Sequence, residues 1–216
     1  MTKEGIFLKL KTAITEGETD EAASLTKEAM ELKVPIRDIL EYVSEVVAGL
    51  GKQYEEFNCF IPQLVLASEA MDASLDTLEV QLKNLPPRQT VLLGTVEGDV
   101  HDIGKRIVGC LLKSKGFKVT DLGRDVPAAE FAQKAKEIGA DVIGASSFLY
   151  AQIPEFNRIV EACKESGIRD KVKILIGGIA ASENWANEAD ADGYGKDAFA
   201  ALEIVKELLS TKEVEK

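Results

Sequence analysis

Residues 91–104, VLLGTVEGDVHDIG, decide the fold. Their first five residues are a short apolar run of the kind that forms a buried strand. Glycine and acidic residues interrupt the run, and from Ile103 onward the apolar residues recur at helical spacing. A strand, a loop and a helix in this order indicate the first unit of a parallel α/β sheet.

The same alternation continues towards the end of the chain. We predict strands at 91–95, 118–122, 141–145 and 173–176. Helices that cross over between these strands are predicted at 103–115, 128–138 and 154–166. Parallel neighbours require such crossovers. The pattern therefore predicts a doubly wound, Rossmann-like (flavodoxin-like) α/β domain that binds ligands at the carboxyl ends of its strands.

The residues before this domain follow a helical pattern only. Between Ile6 and Leu82 the apolar residues recur at i, i+3, i+4 and i+7, which predicts a four-helix bundle. Residues 83–88 contain two adjacent prolines, which cannot extend a helix, so this segment is the predicted linker. The predicted domains are a helical domain at 1–85 and an α/β domain at 86–216.

Composition and charge narrow the function. The 216 residues are 45% hydrophobic and 29% charged, as in ordinary globular proteins. A formal net charge of −11 repels phosphate backbones, so we expect no nucleic-acid partner. No apolar run reaches the roughly 20 residues that span a bilayer, and no secretory signal is recognised, so we expect a cytoplasmic protein without a membrane partner. Three widely spaced cysteines are expected to be reduced and structural.

A single histidine, His101, follows the first predicted strand. Asp99, two residues earlier, can accept a proton from one ring nitrogen while the other binds a metal. A zinc or iron ion held by protein groups alone needs three or four donors, whereas a metal inside a macrocycle needs one, which points to a tetrapyrrole. The alternatives are a structural histidine and two loop acids; for Asp102 a helix cap is the favoured role.

Three motifs carry a resemblance to a known family. Asp99-x-His101-x-x-Gly104, Ser147-x-Leu149 and Gly177-Gly178 resemble the three-part signature of cobalamin-binding domains. Residues 51–64, GKQYEEFNCFIPQL, resemble the helical cap that precedes this domain in methionine synthase. The chain's length and layout are similar to the free-standing corrinoid proteins of methylamine, methanol and methoxyarene methyltransferase systems.

The resemblance implies a set of cofactor-binding residues, namely Asp99, His101, Asp102, Ile103, Gly104, Ser147, Leu149, Gly177, Gly178 and, in the helical domain, Phe60. His101 would be the lower axial ligand of cobalt. Asp99 would hold the other ring nitrogen and so tune the catalytic metal. The glycines would allow close backbone contact with the nucleotide tail of the cofactor, and Ser147 and Leu149 would line its slot.

Two further positions follow from the resemblance. Phe60 and Met71 are candidates to shield the upper face of cobalt, although at helical spacing either residue also suits an apolar core. In methionine synthase a second serine extends the hydrogen-bond relay from the histidine, but this chain has Ile153 at that position. The relay is therefore expected to end at Asp99 or to continue through water.

The function implied by the resemblance is that of a corrinoid shuttle. Such a protein holds cobalamin or a related corrinoid and carries a methyl group on cobalt, as methylcobalamin, so it is one component of a methyltransferase system. Its implied partners are a substrate-specific methyltransferase, an acceptor methyltransferase using tetrahydrofolate or coenzyme M, and a reductive activator.

Three other functions remain open. The first is a cobalamin-dependent sensor or regulator, which usually carries a DNA-binding module. The second is the small subunit of an adenosylcobalamin mutase, against which the helical cap argues. The third is an α/β domain that binds no cobalamin.

Overall fold

The computed structural model describes residues 2–55, 60–82 and 89–214. The chain divides into two compact units, Met1–Asn84 and Leu85–Lys216. The predicted linker at 83–88 and Cys59 lie outside the described residues. Cys110 and Cys163 are buried. In the described ranges, no helix is long and apolar enough to cross a membrane.

The first unit is helical. Its described residues form α1 (Lys3–Glu16), α2 (Thr19–Glu31), α3 (Ile36–Glu55) and α4 (Ile61–Leu82). Helix α1 begins where the Thr2 side chain accepts a hydrogen bond from the Gly5 amide, and it ends at Gly17 with φ 76°. A Cβ on Gly17 would lie 2.6 Å from Cβ of Leu66, so glycine also permits close packing against α4. The predicted four-helix bundle is confirmed.

The second unit is a parallel sheet covered by helices. Its strands are β1 (Thr90–Thr95), β2 (Lys118–Asp121), β3 (Val142–Ser146), β4 (Lys173–Gly177) and β5 (Gly193–Gly195). Its helices are α5 (Ile103–Ser114), α6 (Ala128–Ile138), α7 (Pro154–Glu165), α8 (Glu183–Glu188) and α9 (Ala198–Val214). Helix α5 packs with α9 and α6 packs with α7. The predicted doubly wound α/β class is confirmed.

The strand order, β2-β1-β3-β4-β5, is the flavodoxin-like order. All pairs are parallel, and Val91 faces Val119 on one side and Val142 on the other. The chain order therefore reverses between β1 and β3. At such a switch point the connections diverge and open a crevice at the carboxyl ends of the strands. Two segments meet there, the β1 loop (residues 96–102) and the β3 loop (residues 147–153).

Sequence patterns did not predict β5, α8 or α9. Strand β5 is only three residues long and contains two glycines, so it lacks the apolar run that marks the other strands. It forms because β4 offers it a parallel partner, with Ile176 facing Tyr194. Tertiary pairing, and not local preference, makes this segment a strand.

Candidate functional site

The β1 loop brings Asp99 and His101 into contact. Asp99 is fully buried, whereas the His101 side chain is 49% exposed. Oδ1 of Asp99 lies 2.7 Å from Nδ1 of His101 and also accepts the His101 amide at 3.0 Å. Because a carboxylate can only accept, Nδ1 must be the donor. A neutral imidazole held in this way has its lone pair on Nε2, the nitrogen that can bind a metal.

The second oxygen of Asp99 holds the β3 loop. Its Oδ2 accepts hydrogen bonds from the amides of Phe148 at 2.6 Å and Leu149 at 3.1 Å, and from the Ser147 hydroxyl at 3.1 Å. Burial alone would raise the pKa of Asp99, but the hydrogen bonds from His101, Phe148 and Leu149 outweigh it and lower the pKa to about 2. One charged carboxylate therefore joins the loops on both sides of the switch point.

Ser147 lies inside the α/β unit, in contact with Asp99. It is fully buried, and its hydroxyl lies between Asp99 and the Leu149 carbonyl, 3.1 Å from each acceptor. The Ser147 hydroxyl is thus the third group in a chain of hydrogen bonds that runs from His101 to Asp99 to Ser147. Ile153 takes no part in this chain and lies in the apolar core of the unit. The walls of the cavity described next include Ser146 but neither Ser147 nor Leu149. That Ser147 and Leu149 line the slot for the nucleotide tail stays a prediction.

A cavity of about 410 Å³ opens in the α/β unit. Its walls come from four strands and two helices, with apolar side chains such as Leu93, Val108, Leu175, Ile176 and Ala201. All three glycines of the sequence motifs, Gly104, Gly177 and Gly178, also line it. A largely apolar cavity at the carboxyl edge of a doubly wound sheet suits an extended organic ligand.

The three motif positions are occupied by glycine for different structural reasons. A Cβ on Gly104 would meet nothing within 4 Å, so the absent side chain leaves cavity space free. A Cβ on Gly177 would lie 3.3 Å from the Gly195 carbonyl oxygen. Gly178 has φ 96°, and its Cβ would lie 2.1 Å from the Ser147 carbonyl oxygen. For Gly178, glycine is therefore already required by the protein's own backbone, before any ligand is considered.

Asp102 occupies the position before α5, but it makes no capping hydrogen bond. Its Oδ2 instead lies 2.7 Å from Nε of Arg124. The predicted helix cap is therefore wrong, because the Asp102 carboxylate forms an ion pair with Arg124 in the loop after β2. Ile103 begins α5 and is half-buried.

An aromatic contact at His101 was not predicted. The Phe148 ring stacks on the imidazole, with centroids 4.3 Å apart and an angle of 21° between the planes. Other apolar side chains in the segments that follow β1, β3 and β4 are also exposed, namely Val100, Tyr150 and Ile179. The only available signal was an aromatic residue at the free position of Ser147-x-Leu149.

The two candidates in the helical unit differ. Met71 is fully buried and belongs to the apolar core of that unit. Phe60 precedes α4 and is exposed, and its role at the cofactor stays a prediction. Within the described ranges, no group of three or more histidine, cysteine, aspartate and glutamate side chains is placed to hold a metal ion.

The fold and this geometry define a binding protein of flavodoxin-like topology that offers one carboxylate-held imidazole at its sheet edge. Residues 89–203 match the B12 binding domain family, and residues 6–79 match a second family of B12 binding domains. The chain is 36% identical over 214 residues to dimethylamine corrinoid protein 2 of Methanosarcina acetivorans, covering 98% of this chain and 99% of the relative. The chain belongs to the family of B12-binding corrinoid proteins.

Solved structures agree with this assignment. The monomethylamine corrinoid protein of Methanosarcina barkeri superposes with a TM-score of 0.82 at 28% identity, over 96% of this chain and 100% of that chain. A chain of the methanol:cobalamin methyltransferase complex from Methanosarcina barkeri superposes with a TM-score of 0.54 at 28% identity, over 97% and 81% of the two chains.

Proposed function

We propose that this protein is a corrinoid shuttle, which binds cobalamin or a related corrinoid and carries a methyl group on its cobalt between two methyltransferases. The observation that carries the proposal is the His101 imidazole. Its Nδ1 is held 2.7 Å from a buried carboxylate, and its side chain is half-exposed at the sheet edge. A nitrogen ligand offered in this way suits a metal whose other ligands arrive with it.

The residues present fit a corrinoid. His101 would supply the lower axial nitrogen, and the cavity beside Gly104, Gly177 and Gly178 would take the nucleotide tail. When bound, the cobalt supplies the chemistry of methyl transfer. Asp99 accepts a hydrogen bond from Nδ1–H and keeps the imidazole in the tautomer with its lone pair on Nε2. Ser147 and the amides of the β3 loop hold Asp99 in place.

The proposal includes partners and location. A substrate-specific methyltransferase would supply the methyl group, and an acceptor methyltransferase using tetrahydrofolate or coenzyme M would receive it. A reductive activator would restore the cofactor after oxidation. The solved complex of a similar chain with a methanol methyltransferase supports the first of these partners. We place the protein in the cytoplasm, where buried thiols such as Cys110 and Cys163 stay reduced.

The axial ligand can be tested with one isotope. Because the sequence has a single histidine, growth on ¹⁵N-histidine labels the imidazole of His101 and no other side chain. The protein loaded with cobalt(II) cobalamin should show a two-line nitrogen splitting in its electron paramagnetic resonance spectrum. The unlabelled protein should show three lines. The His101→Ala variant grown on the same label should not show the two-line splitting.

The opposite result is equally distinct. A three-line splitting in the labelled protein would mean that the cofactor's own benzimidazole still binds cobalt. That result would overturn the assignment of His101.

A further inference from the structure

The β3 loop places an aromatic ring against the candidate metal ligand. The Phe148 ring lies nearly parallel to the His101 imidazole, at a centroid distance of 4.3 Å. Both side chains remain partly exposed, Phe148 by 43% and His101 by 49%. The stack therefore covers one imidazole face and leaves the rest of the ring accessible.

The backbone that carries Phe148 is fixed by the same carboxylate that holds His101. The Phe148 amide donates to Oδ2 of Asp99 at 2.6 Å, while the imidazole donates to Oδ1 at 2.7 Å. The neighbouring Leu149 amide adds a second bond to Oδ2 at 3.1 Å. The two rings are thus anchored to opposite oxygens of one buried group, which sets their separation.

A single hydrogen bond does not fix the plane of an imidazole. The bond from Nδ1 to Asp99 limits rotation about the Cβ–Cγ bond, but a hydrogen bond tolerates a range of angles, so the ring can still tilt about that bond. A parallel aromatic surface in contact with the ring opposes this turning, because any rotation breaks the stacked contact. The direction of the Nε2 lone pair then depends on two restraints, one from Asp99 and one from Phe148.

We propose that Phe148 is a positioning residue for the axial ligand: it orients the His101 imidazole so that Nε2 is directed towards the metal of a bound corrinoid. This inference rests on the proposed corrinoid function. Phe148 acts through His101 and is not itself a ligand. Stacked aromatic pairs contribute enough that losing the ring should weaken cobalamin binding about threefold to tenfold.

The test compares three variants. Phe148→Leu keeps an apolar side chain of similar bulk but has no ring, whereas Phe148→Tyr keeps the ring. Phe7→Ala is the matched control, because Phe7 stacks on Tyr42 in the helical unit with nearly the same geometry, 4.4 Å and 21°. Each variant is measured without cofactor by NMR of the His101 ring protons, and with cobalt(II) cobalamin by affinity and nitrogen splitting.

We expect Phe148→Leu to shift the His101 ring protons downfield by tenths of a part per million, since they leave the shielding region of the Phe148 ring. The same variant should bind cobalamin about threefold to tenfold more weakly and show a smaller fraction of His101-ligated cobalt. Phe148→Tyr should restore all three readouts, and Phe7→Ala should leave them as in the wild type.

Wild-type shifts and wild-type affinity in Phe148→Leu would overturn the proposal. So would a loss of equal size in Phe7→Ala, because the effect would then not depend on His101. If the wild-type protein itself shows no His101 splitting, the corrinoid proposal fails, and the role of Phe148 towards a metal ligand fails with it. A normal wild-type splitting combined with an unchanged Phe148→Leu variant separates the two cases.

Discussion

The two ends of the sheet each hold an aspartate with several partners, and the partners differ. At the carboxyl end, Asp99 accepts from amides, a hydroxyl and the His101 imidazole. At the amino end, Asp192 lies 2.9 Å from Nη1 of Arg169 and 3.3 Å from Nζ of Lys173, and it accepts the Ile174 amide at 2.8 Å. One acid is held by amides, a hydroxyl and an imidazole, and the other by two cations and one amide.

This difference distinguishes a candidate ligand-binding site from a structural cluster of ion pairs. The charge of Asp192 is balanced by two cations of the chain itself, so the cluster ties β4 to β5. The charge of Asp99 polarises an imidazole whose second nitrogen is available to an incoming group. A buried acid held by dipoles and an imidazole is thus the better sign of ligand chemistry, whereas an acid in a network of ion pairs more often has a structural role.

The largest expected effect concerns two glycines at opposite ends of the sheet. Gly178 and Gly167 both have positive φ, 96° and 69°, but only a Cβ on Gly178 would meet backbone, at 2.1 Å. Gly167→Ala should therefore lower the free energy of unfolding by about 1 kcal/mol, the usual penalty for that conformation. Gly178→Ala should lower it by about 4 kcal/mol, because the Ser147 backbone must also move.

Urea denaturation of the two variants measures this difference directly. Similar losses in both variants would show that the β3 loop moves aside easily. The carboxyl end would then be less tightly packed than the structure indicates.

Exchange of each aspartate for asparagine gives the next largest effect. Asp99→Asn puts an NH₂ group where N–H and O–H donors converge, so we expect a loss of about 3 kcal/mol in stability. Cobalamin affinity should fall about 10- to 100-fold, as when the partner of a metal-bound histidine is removed. Asp192→Asn should lower stability by about 1 kcal/mol and leave the affinity unchanged.

Isothermal titration with cobalamin, after urea denaturation of each variant, gives both quantities. An equal affinity loss in the two variants would erase the functional difference between the two ends of the sheet.

A smaller effect depends on pH. The pKa of Asp99 is lowered from 3.8 to about 2, so its charged form is stabilised by folding. This contribution to the free energy of unfolding is fully present above pH 3.8, the ordinary pKa of the group, and is lost as the pH falls towards about 2, its pKa in the folded protein. Protonation of Asp99 therefore lowers the free energy of unfolding by about 2 kcal/mol. The Asp99→Asn variant has no carboxyl group at this position, so it does not show this loss.

The free energy of unfolding of the wild type and of Asp99→Asn should therefore differ less at about pH 2 than at about pH 6. A difference that stays constant over this range would mean that the charge of Asp99 is not what holds the two loops.

The sequence was most informative where local pattern and site coincide. The four longer strands have apolar, β-branched runs, and the switch point follows from their alternation with helices. Asp99 and His101 are two residues apart in the loop after the first strand, so their contact was predictable from spacing. The chain's single histidine left one candidate imidazole ligand.

Long-range contacts were not predictable in the same way. The bond from Ser147 to Asp99 joins loops that are 48 residues apart and depends on how closely the two strands approach. Asp102 had two good partners, its own helix and Arg124, and only the folded chain shows that Arg124 prevails. Strand β5 exists through its pairing with β4, which its own residues do not signal.

The bonds from Asp99 to both loops also bear on how fast the site is filled. Because the bonds that join the β1 and β3 loops come from the chain's own groups, we expect neither loop to fold or change partners during association. The binding rate should then rise in proportion to corrinoid concentration, without a slow phase that is independent of concentration. The lifetime of the loaded protein, and not its rate of loading, becomes the property that substitutions around His101 would change.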